Sequence, residues 1–457
     1  MAVPVPHATQ SFWRSDLHAF DSHRTTEQLP AEADIVIIGA GYAGASLTYH
    51  LLEKSESSQK PVSIVLLEAR EACSGATGRN GGHLKPDPYY RAAEALKTHG
   101  REAAEEMASF EARHVNEIHK LVEKEGIDCD FVVTRATDVC MYESAHLDLK
   151  QGLEALRQAN ISTASEVHYS GPRTAQGISG VKGAKACFTY TAAHVWPYKL
   201  VLHLLQKAVS RGVNLQTHTP VKSVKLGGSS NSWAVETARG TIQAAKVIYS
   251  SNAYTSSLLP EYTGKIVGVR GICSRLVATK PNAPLLTNSY ILRLAPGEYD
   301  YLIPRSDGSI VVGGARRDYK KELDSWYDNY DDSKLIESAK HYFDGYMQRH
   351  FRGWEDSGAY TDAIWTGIMG YSSDGFPHVG EVPGKNGQYI CAGFTGHGMP
   401  QIFLSAKAIA SMVLDDKKAD EVDLPRLYRA SQARLDSTLN VTLEEWQDTH
   451  ATPTAKL

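Results

Sequence analysis

Ala33-Asp34-Ile35-Val36-Ile37-Ile38-Gly39-Ala40-Gly41-Tyr42-Ala43-Gly44 is the stretch on which the reading of this chain turns. An apolar, largely β-branched run ends at a glycine, and Gly-x-Gly-x-x-Gly then opens the amphipathic segment Ala45 to Leu52. That order predicts a buried parallel strand, a tight turn and a helix start. Gly39 permits the turn, Gly41 lets backbone approach a pyrophosphate, and Gly44 lets the helix pack against the strand. Phosphates would then face the unpaired N–H groups and positive dipole end of that helix.

Working outward, a second strand, Ser63-Ile64-Val65-Leu66-Leu67, ends in Glu68, which lies 24 positions after Gly44. That is close to the ~20 expected of the acid that grips a ribose hydroxyl in a dinucleotide-binding unit. The competing reading is a glycine-rich turn followed by an unrelated surface acid. Strand, turn, helix, strand and acid in order disfavour it.

At 457 residues the chain is too long for one small core, so two or three domains are expected. A formal net charge of −4 gives no reason to invoke nucleic acid or an anionic membrane. No stretch approaches the roughly 20 apolar residues that span a bilayer. Cys73, Cys129, Cys140, Cys187, Cys273 and Cys391 are scattered without metal-ligand spacing. They read as reduced, packed thiols, and no metal site is expected. The N-terminus lacks the features of a secretory leader. The chain closes on Ala455-Lys456-Leu457, a variant of the Ser-Lys-Leu address read by the peroxisomal import receptor. Peroxisomal localisation is therefore expected, with a cytoplasmic one if the tail is an ordinary polar end.

Residues 1–29 read as an irregular arm with Phe12 and Trp13 as anchors. Ser74-Gly75-Ala76-Thr77-Gly78-Arg79-Asn80-Gly81-Gly82 has no apolar periodicity. Its hydroxyls, glycine N–H groups and Arg79 suit a second cradle for phosphate or a planar polar ring. A long helix from about Tyr89 to Glu125 follows, broken near Gly100. Strands near 131–133 and 139–142 and a helix near 147–158 complete an α+β module. A helix opens at Pro197, and strands follow over 214–217, 221–226, 233–237 and 241–249. Residues 265–279 and 299–314 are strand-rich, with Asp307-Gly308 as a hairpin turn. A helix over 333–350 and an irregular glycine-rich stretch over 365–380 are expected next. Gln388 to Met399 then repeats the grammar of strand, glycine loop and helix.

These motifs together resemble the D-amino-acid-oxidase-like FAD-dependent oxidoreductases, nearest the γ-glutamylputrescine-oxidase-like branch. The likeness is carried by the Gly39–Gly44 turn, Ser-Gly-Ala-Thr-Gly-Arg-Asn-Gly-Gly after Glu68, Thr219-Pro220-Val221, and Trp365–Gly370 with Asp374-Gly375-Phe376-Pro377. Gly393-Phe394-Thr395-Gly396-His397-Gly398-Met399 completes it. The resemblance implies an α/β fold in which a Rossmann-like FAD-binding domain is interleaved with an α+β substrate domain on a mixed or antiparallel sheet. The FAD domain is expected over 30–90, 188–258 and 360–415, and the substrate domain over 91–187 and 259–359. A C-terminal extension would occupy 416–457.

The cofactor contacts it implies are Gly39, Gly41, Tyr42, Ala43 and Gly44 at the pyrophosphate, and Glu68, Ala69 and Arg70 at the adenosine ribose. Ser74, Gly75, Ala76, Thr77, Arg79, Asn80, Gly81 and Gly82 would pass toward the flavin ring. Val221 would meet adenine, with Ser251 and Asn252 nearby. Gly396, His397, Gly398 and Met399 would present N–H groups to the flavin edge where charge accumulates. The position of the tethering cysteine in sarcosine oxidase relatives is Gly367 here, so noncovalent FAD is expected. Their substrate-binding lysine is replaced by Pro400.

The implied reaction oxidises the C–N bond of a small amine or amino acid, with oxygen as acceptor and hydrogen peroxide as product. Substrate-pocket candidates are His83, Tyr301, Arg305 and Arg270, the last a possible bidentate partner for a carboxylate. The competing reading for Arg270 and Arg305 is an ordinary surface arginine. A flavin dehydrogenase using another acceptor, a noncatalytic dinucleotide-binding protein and an NAD-dependent dehydrogenase stay open. The last leaves Ser74–Gly82 and Gly393–Met399 without purpose.

Overall fold

The computed structural model describes residues 3–228, 232–281 and 283–450, so Ala455-Lys456-Leu457 lies outside the described residues. Two sheets organise the chain. The first runs His378–Glu381, Gln388–Ala392, Gly240–Tyr249, Glu32–Ile38, Ile64–Leu67, Asn214–Gln216. Its last five strands are parallel, and the His378–Glu381 edge is antiparallel. Val36 and Ile37 on the central strand are both fully buried, as an apolar run covered on both faces requires. The helices Tyr42–Ser58, Pro197–Ser210 and Ile402–Asp415 pack together beside this sheet. The connections from Glu32–Ile38 to Tyr42–Ser58 and from Gln388–Ala392 to Ile402–Asp415 thus deliver loops to the same carboxyl edge, where α/β sheets bind their ligands.

The second sheet has nine strands and is mixed. Ile266–Val277 pairs antiparallel with Tyr360–Ser372 on one side and Ile310–Gly313 on the other. Ser289–Ala295 runs parallel to Val132–Cys140, which pairs antiparallel with Ala186–His194. The Asp307-Gly308 hairpin forms as expected, with Glu298–Pro304 against Ile310–Gly313. The long helix spans Tyr90–Glu125, and Gly100 interrupts it at φ 84°.

Three expectations are corrected. The strand-like pieces at 131–133 and 139–142 are one strand, Val132–Cys140. The helix over 333–350 is reduced to the turn Glu337–Ala339 and the short helix Tyr346–His350. Tyr342 and Tyr346 turn their hydroxyls onto buried Asp300, at 2.5 and 3.1 Å. The stretch over 365–380 is irregular only at 373–377: Tyr360–Ser372 is a 13-residue strand and His378–Glu381 another. Its glycines misled the reading, because they mark close approach rather than a loop. A Cβ at Gly367 would lie 2.8 Å from Arg79 Cβ, and one at Gly370 would lie 2.5 Å from Asn252 Oδ1. This strand belongs to the second sheet.

No helix among the described residues is long and apolar enough to cross a membrane. All six cysteines are buried and free.

Candidate functional site

At the end of Glu32–Ile38 the chain turns through Gly39, whose φ is +109°. A Cβ there would lie 2.7 Å from the Ser250 carbonyl oxygen, and one at Gly44 would lie 1.9 Å from that of Gly39. Only glycine lets the helix Tyr42–Ser58 seat so close to the strand end. The turn is braced from outside by Glu68, whose carboxylate accepts from Ala40 N–H (2.8 Å) and Arg70 N–H (3.0 Å). Thr77 Oγ1 accepts from Tyr42 N–H at 3.1 Å, so the second glycine loop is tied to the first helix start.

That second loop stands on the N-terminal arm. Trp13 is fully buried, donates its indole N–H to Asn80 O, and packs on Trp196. The Arg79 donors go to Ser74 O (2.8 Å), Thr9 Oγ1 (3.1 Å) and Thr366 O (2.8 Å), with Asp332 at 3.4 Å. Arg70 likewise pairs bidentately with buried Asp332, at 2.9 and 3.0 Å. Both arginines line the cavity and also brace the loop through protein acceptors.

The third loop, Gly393–Met399, is held by a buried carboxylate that no motif announced. Glu111, on the helix Tyr90–Glu125, lies 2.9 Å from His397 Nε2. It also accepts from Gln401 Nε2 (2.7 Å), Tyr428 Oη (2.8 Å) and Asp87 N–H (3.0 Å). Burial alone would raise its pKa, but His397, Arg91 and Gln401 hold the carboxyl down at about 2. The signal that could have found it is a carboxylate directly after Phe110 on the apolar face of the helix.

All three loops line one cavity of about 800 Å³. It takes in Gly39, Gly41, Tyr42, Ala43 and Glu68 to Arg70 at one end, with Val221, Ser251 and Asn252 beside them. Ser74 to Thr77, Arg79 to Gly81 and Gly396 to Met399 line it as well. Gly44 and Gly82 support the wall without lining it. The far part is bounded by His83, Tyr301, Tyr299, Lys85, Arg293 and Arg316.

The substrate candidates divide. His83 and Tyr301 line the cavity with rings edge to face at 5.5 Å. Neither His83 nitrogen has a hydrogen-bond partner among the described residues. Burial, then Lys85 and His194, lowers its pKa to about 3, so the imidazole is neutral and its polar atoms are uncommitted. Arg270 and Arg305 are corrected. Arg270 donates to Ser325 O (2.8 Å) and Asp331 O (3.1 Å), outside the cavity wall. Arg305 pairs with Asp130 at 2.7 Å between the rings of Trp13 and Trp196. The cations that do reach the cavity were missed, because Lys85, Arg293 and Arg316 sit on separate elements with no shared spacing. Asp138, fully buried, anchors two of them, with Lys85 at 3.3 Å and Arg293 at 3.1 Å.

Compared with known proteins, residues 34–412 match the family described as FAD dependent oxidoreductase, DAO. The chain belongs to that family. Among relatives of this DAO-family chain, γ-glutamylputrescine oxidoreductase of Escherichia coli is 21% identical over 420 residues, 89% of each chain. Glycine oxidase of Bacillus licheniformis is 23% identical, covering 83% of this chain and 93% of that one. The solved glycine oxidase of Geobacillus kaustophilus superposes with a TM-score of 0.68 at 20% identity, covering 85% and 96%. The protein is thus an FAD-dependent oxidoreductase with the α/β, two-sheet fold anticipated from its motifs. The cradle fits that cofactor: a tight turn with glycines at 39 and 41, an acid at 68, and one cavity joining it to the Gly396 loop.

Proposed function

We propose that this FAD-dependent oxidoreductase oxidises the C–N bond of a small amine or amino acid. The observation that carries the reading is the single cavity, nucleotide loops at one end and a neutral histidine, tyrosines and buried cations at the other. Bound FAD supplies the hydride acceptor, held noncovalently by Gly39–Gly44, Glu68–Arg70, Ser74–Gly82, Val221, Ser251–Asn252 and Gly396–Met399. Loss of hydride from the α-carbon of the neutral amine would leave an iminium ion, which gives up its N–H proton or adds water directly and hydrolyses to a carbonyl compound and an amine or ammonia.

The chain's own residues have two tasks. The first is orientation: neutral His83 accepts an N–H of the substrate, and the Tyr301 ring confines its carbon skeleton. The second is keeping the nitrogen unprotonated. Lys85, Arg293 and Arg316 raise the local potential, which disfavours an ammonium and favours the neutral amine that can give up hydride. His83 supports this as an acceptor rather than as a proton store, since its own pKa is low. Oxygen as the acceptor, hydrogen peroxide as the product and a peroxisomal address in Ala455-Lys456-Leu457 rest on the sequence alone.

Purified protein should be yellow, and anaerobic addition of amines such as glycine, sarcosine or putrescine should bleach the flavin with at least one of them. Readmitted air should restore the colour with stoichiometric peroxide. Flavin that no amine bleaches would overturn the reading; bleached flavin that air leaves unchanged would point to another acceptor.

A further inference from the structure

The family match ends at residue 412, yet the chain beyond it returns to the cavity. Val441, Thr442 and Glu445, on the helix Val441–His450, form part of the wall. Three contacts seat this helix: Val441 N–H to Ser373 O (2.8 Å), Asn440 Nδ2 to Tyr327 Oη (2.9 Å) and Trp446 Nε1 to Lys320 O (2.8 Å). A tail merely lying on the surface would not be anchored to three separate segments.

Glu445 Oε1 lies 2.9 Å from Lys320 Nζ, with the lysine side chain 10% exposed and the glutamate 53%. The cation is therefore held inside the wall, and the carboxylate reaches it from the rim. Lys320 N–H donates to Arg316 O at 2.8 Å, one helical turn that sets both cationic side chains on the same side of the cavity. Arg316 donates to Tyr371 Oη at 2.8 Å and lies over the Tyr299 ring at 4.6 Å. Tyr371 Oη would lie 3.2 Å from a Cβ at Gly396, so this charged group adjoins the third glycine loop. A Cβ at Gly297 would lie 2.8 Å from Lys320 Nζ and 2.9 Å from Glu445 Oε1. That glycine leaves the room the pair occupies. An ion pair with one partner half exposed adds little to folding stability. Beside a confined ligand the same charges act at short range and through less water.

We propose, resting on the amine-oxidation reading above, that Glu445 is a specificity-determining residue contributed by the C-terminal helix. Glu445 offsets one of the two charges that Lys320 and Arg316 carry, leaving one unit of positive charge among these three where they line the cavity. The chamber therefore selects amines whose far end carries a carboxylate over those whose far end carries a second ammonium.

γ-Aminobutyrate and putrescine form a matched pair of probes, differing in the charge of the group beyond the same carbon chain. Their dissociation constants for the holoenzyme are read anaerobically from perturbation or bleaching of the flavin band. The wild-type protein should prefer γ-aminobutyrate, Glu445→Gln should widen that preference about tenfold, and Lys320→Met should narrow it by a similar factor. A merely structural role would move both constants in the same direction. A preference unchanged within about twofold in both variants, or no response to either probe, overturns the proposal. A protein that holds no flavin overturns the amine-oxidation reading instead.

Discussion

A methyl group at residue 44 would sit 1.9 Å from the Gly39 carbonyl oxygen, inside any tolerable contact distance. Gly44→Ala therefore has to lift the helix Tyr42–Ser58 off its strand, which should cost about 3 kcal/mol or more. Urea denaturation should show that loss, with flavin content falling in the same preparation. Glu68 acts differently, since its carboxylate already organises the turn through Ala40 and Arg70 N–H groups. Glu68→Ala should weaken FAD retention about tenfold or more by removing those bonds and the ribose partner; unchanged retention on dialysis would count against the role. Glu111 makes a pH prediction. Its pKa is depressed from an ordinary 4.5 to about 2, so folding favours the ionised form. The stabilisation is complete above pH 4.5 and is lost as pH falls toward 2. Glu111→Gln should remove that acid-dependent loss of stability between pH 4.5 and 2 and lower the melting temperature at neutral pH.

Among the elements, the N-terminal arm contributes more than its irregular appearance indicates. Trp13 fills the space between Gly82, Arg305 and Trp196 and bonds to Asn80. Trp13→Ala leaves a cavity under the Ser74–Gly82 loop and should cost roughly 3–5 kcal/mol. Differential scanning calorimetry of holoprotein and apoprotein should show the loss in both, with weaker flavin binding besides. The C-terminal segment is tied down by Arg434, which meets Asp374 at 2.7 and 2.8 Å. Its helix then reaches the substrate end, which is why side-chain chemistry beyond the family match bears on selectivity.

For the molecule as a whole, one ligand is asked to bridge loops separated by most of the sequence. A cofactor that binds only the assembled cavity stabilises it in proportion to ligand concentration over its dissociation constant. Removing FAD should therefore raise hydrogen exchange at residues 39–44, 74–82 and 396–399 together, and adding it back should protect all three. Exchange that changed at the first loop alone would contradict a shared ligand. The sheet that carries the catalytic end, Ile266–Val277 with its neighbours, should stay protected in either state because its pairing is independent of the cofactor.

Local chemistry determined a great deal by itself. Strand, turn and helix at Glu32–Ser58 follow from apolar periodicity and from glycines that no other residue could replace, and the Glu68 and Gly396 loops follow from the same rules. Such features are short range, so a linear chain displays them. The tertiary structure alone decided what each charged side chain faces. Arg79, Arg270 and Arg305 look like ligand binders as residue types, yet each is consumed by protein acceptors far away in sequence. Glu111, Arg316 and Glu445 became functional candidates only when three separate elements met around one cavity. A guanidinium or carboxylate interacts with whatever folding brings within a few ångströms, and that neighbourhood is a property of the packed chain, not of the residue or its spacing.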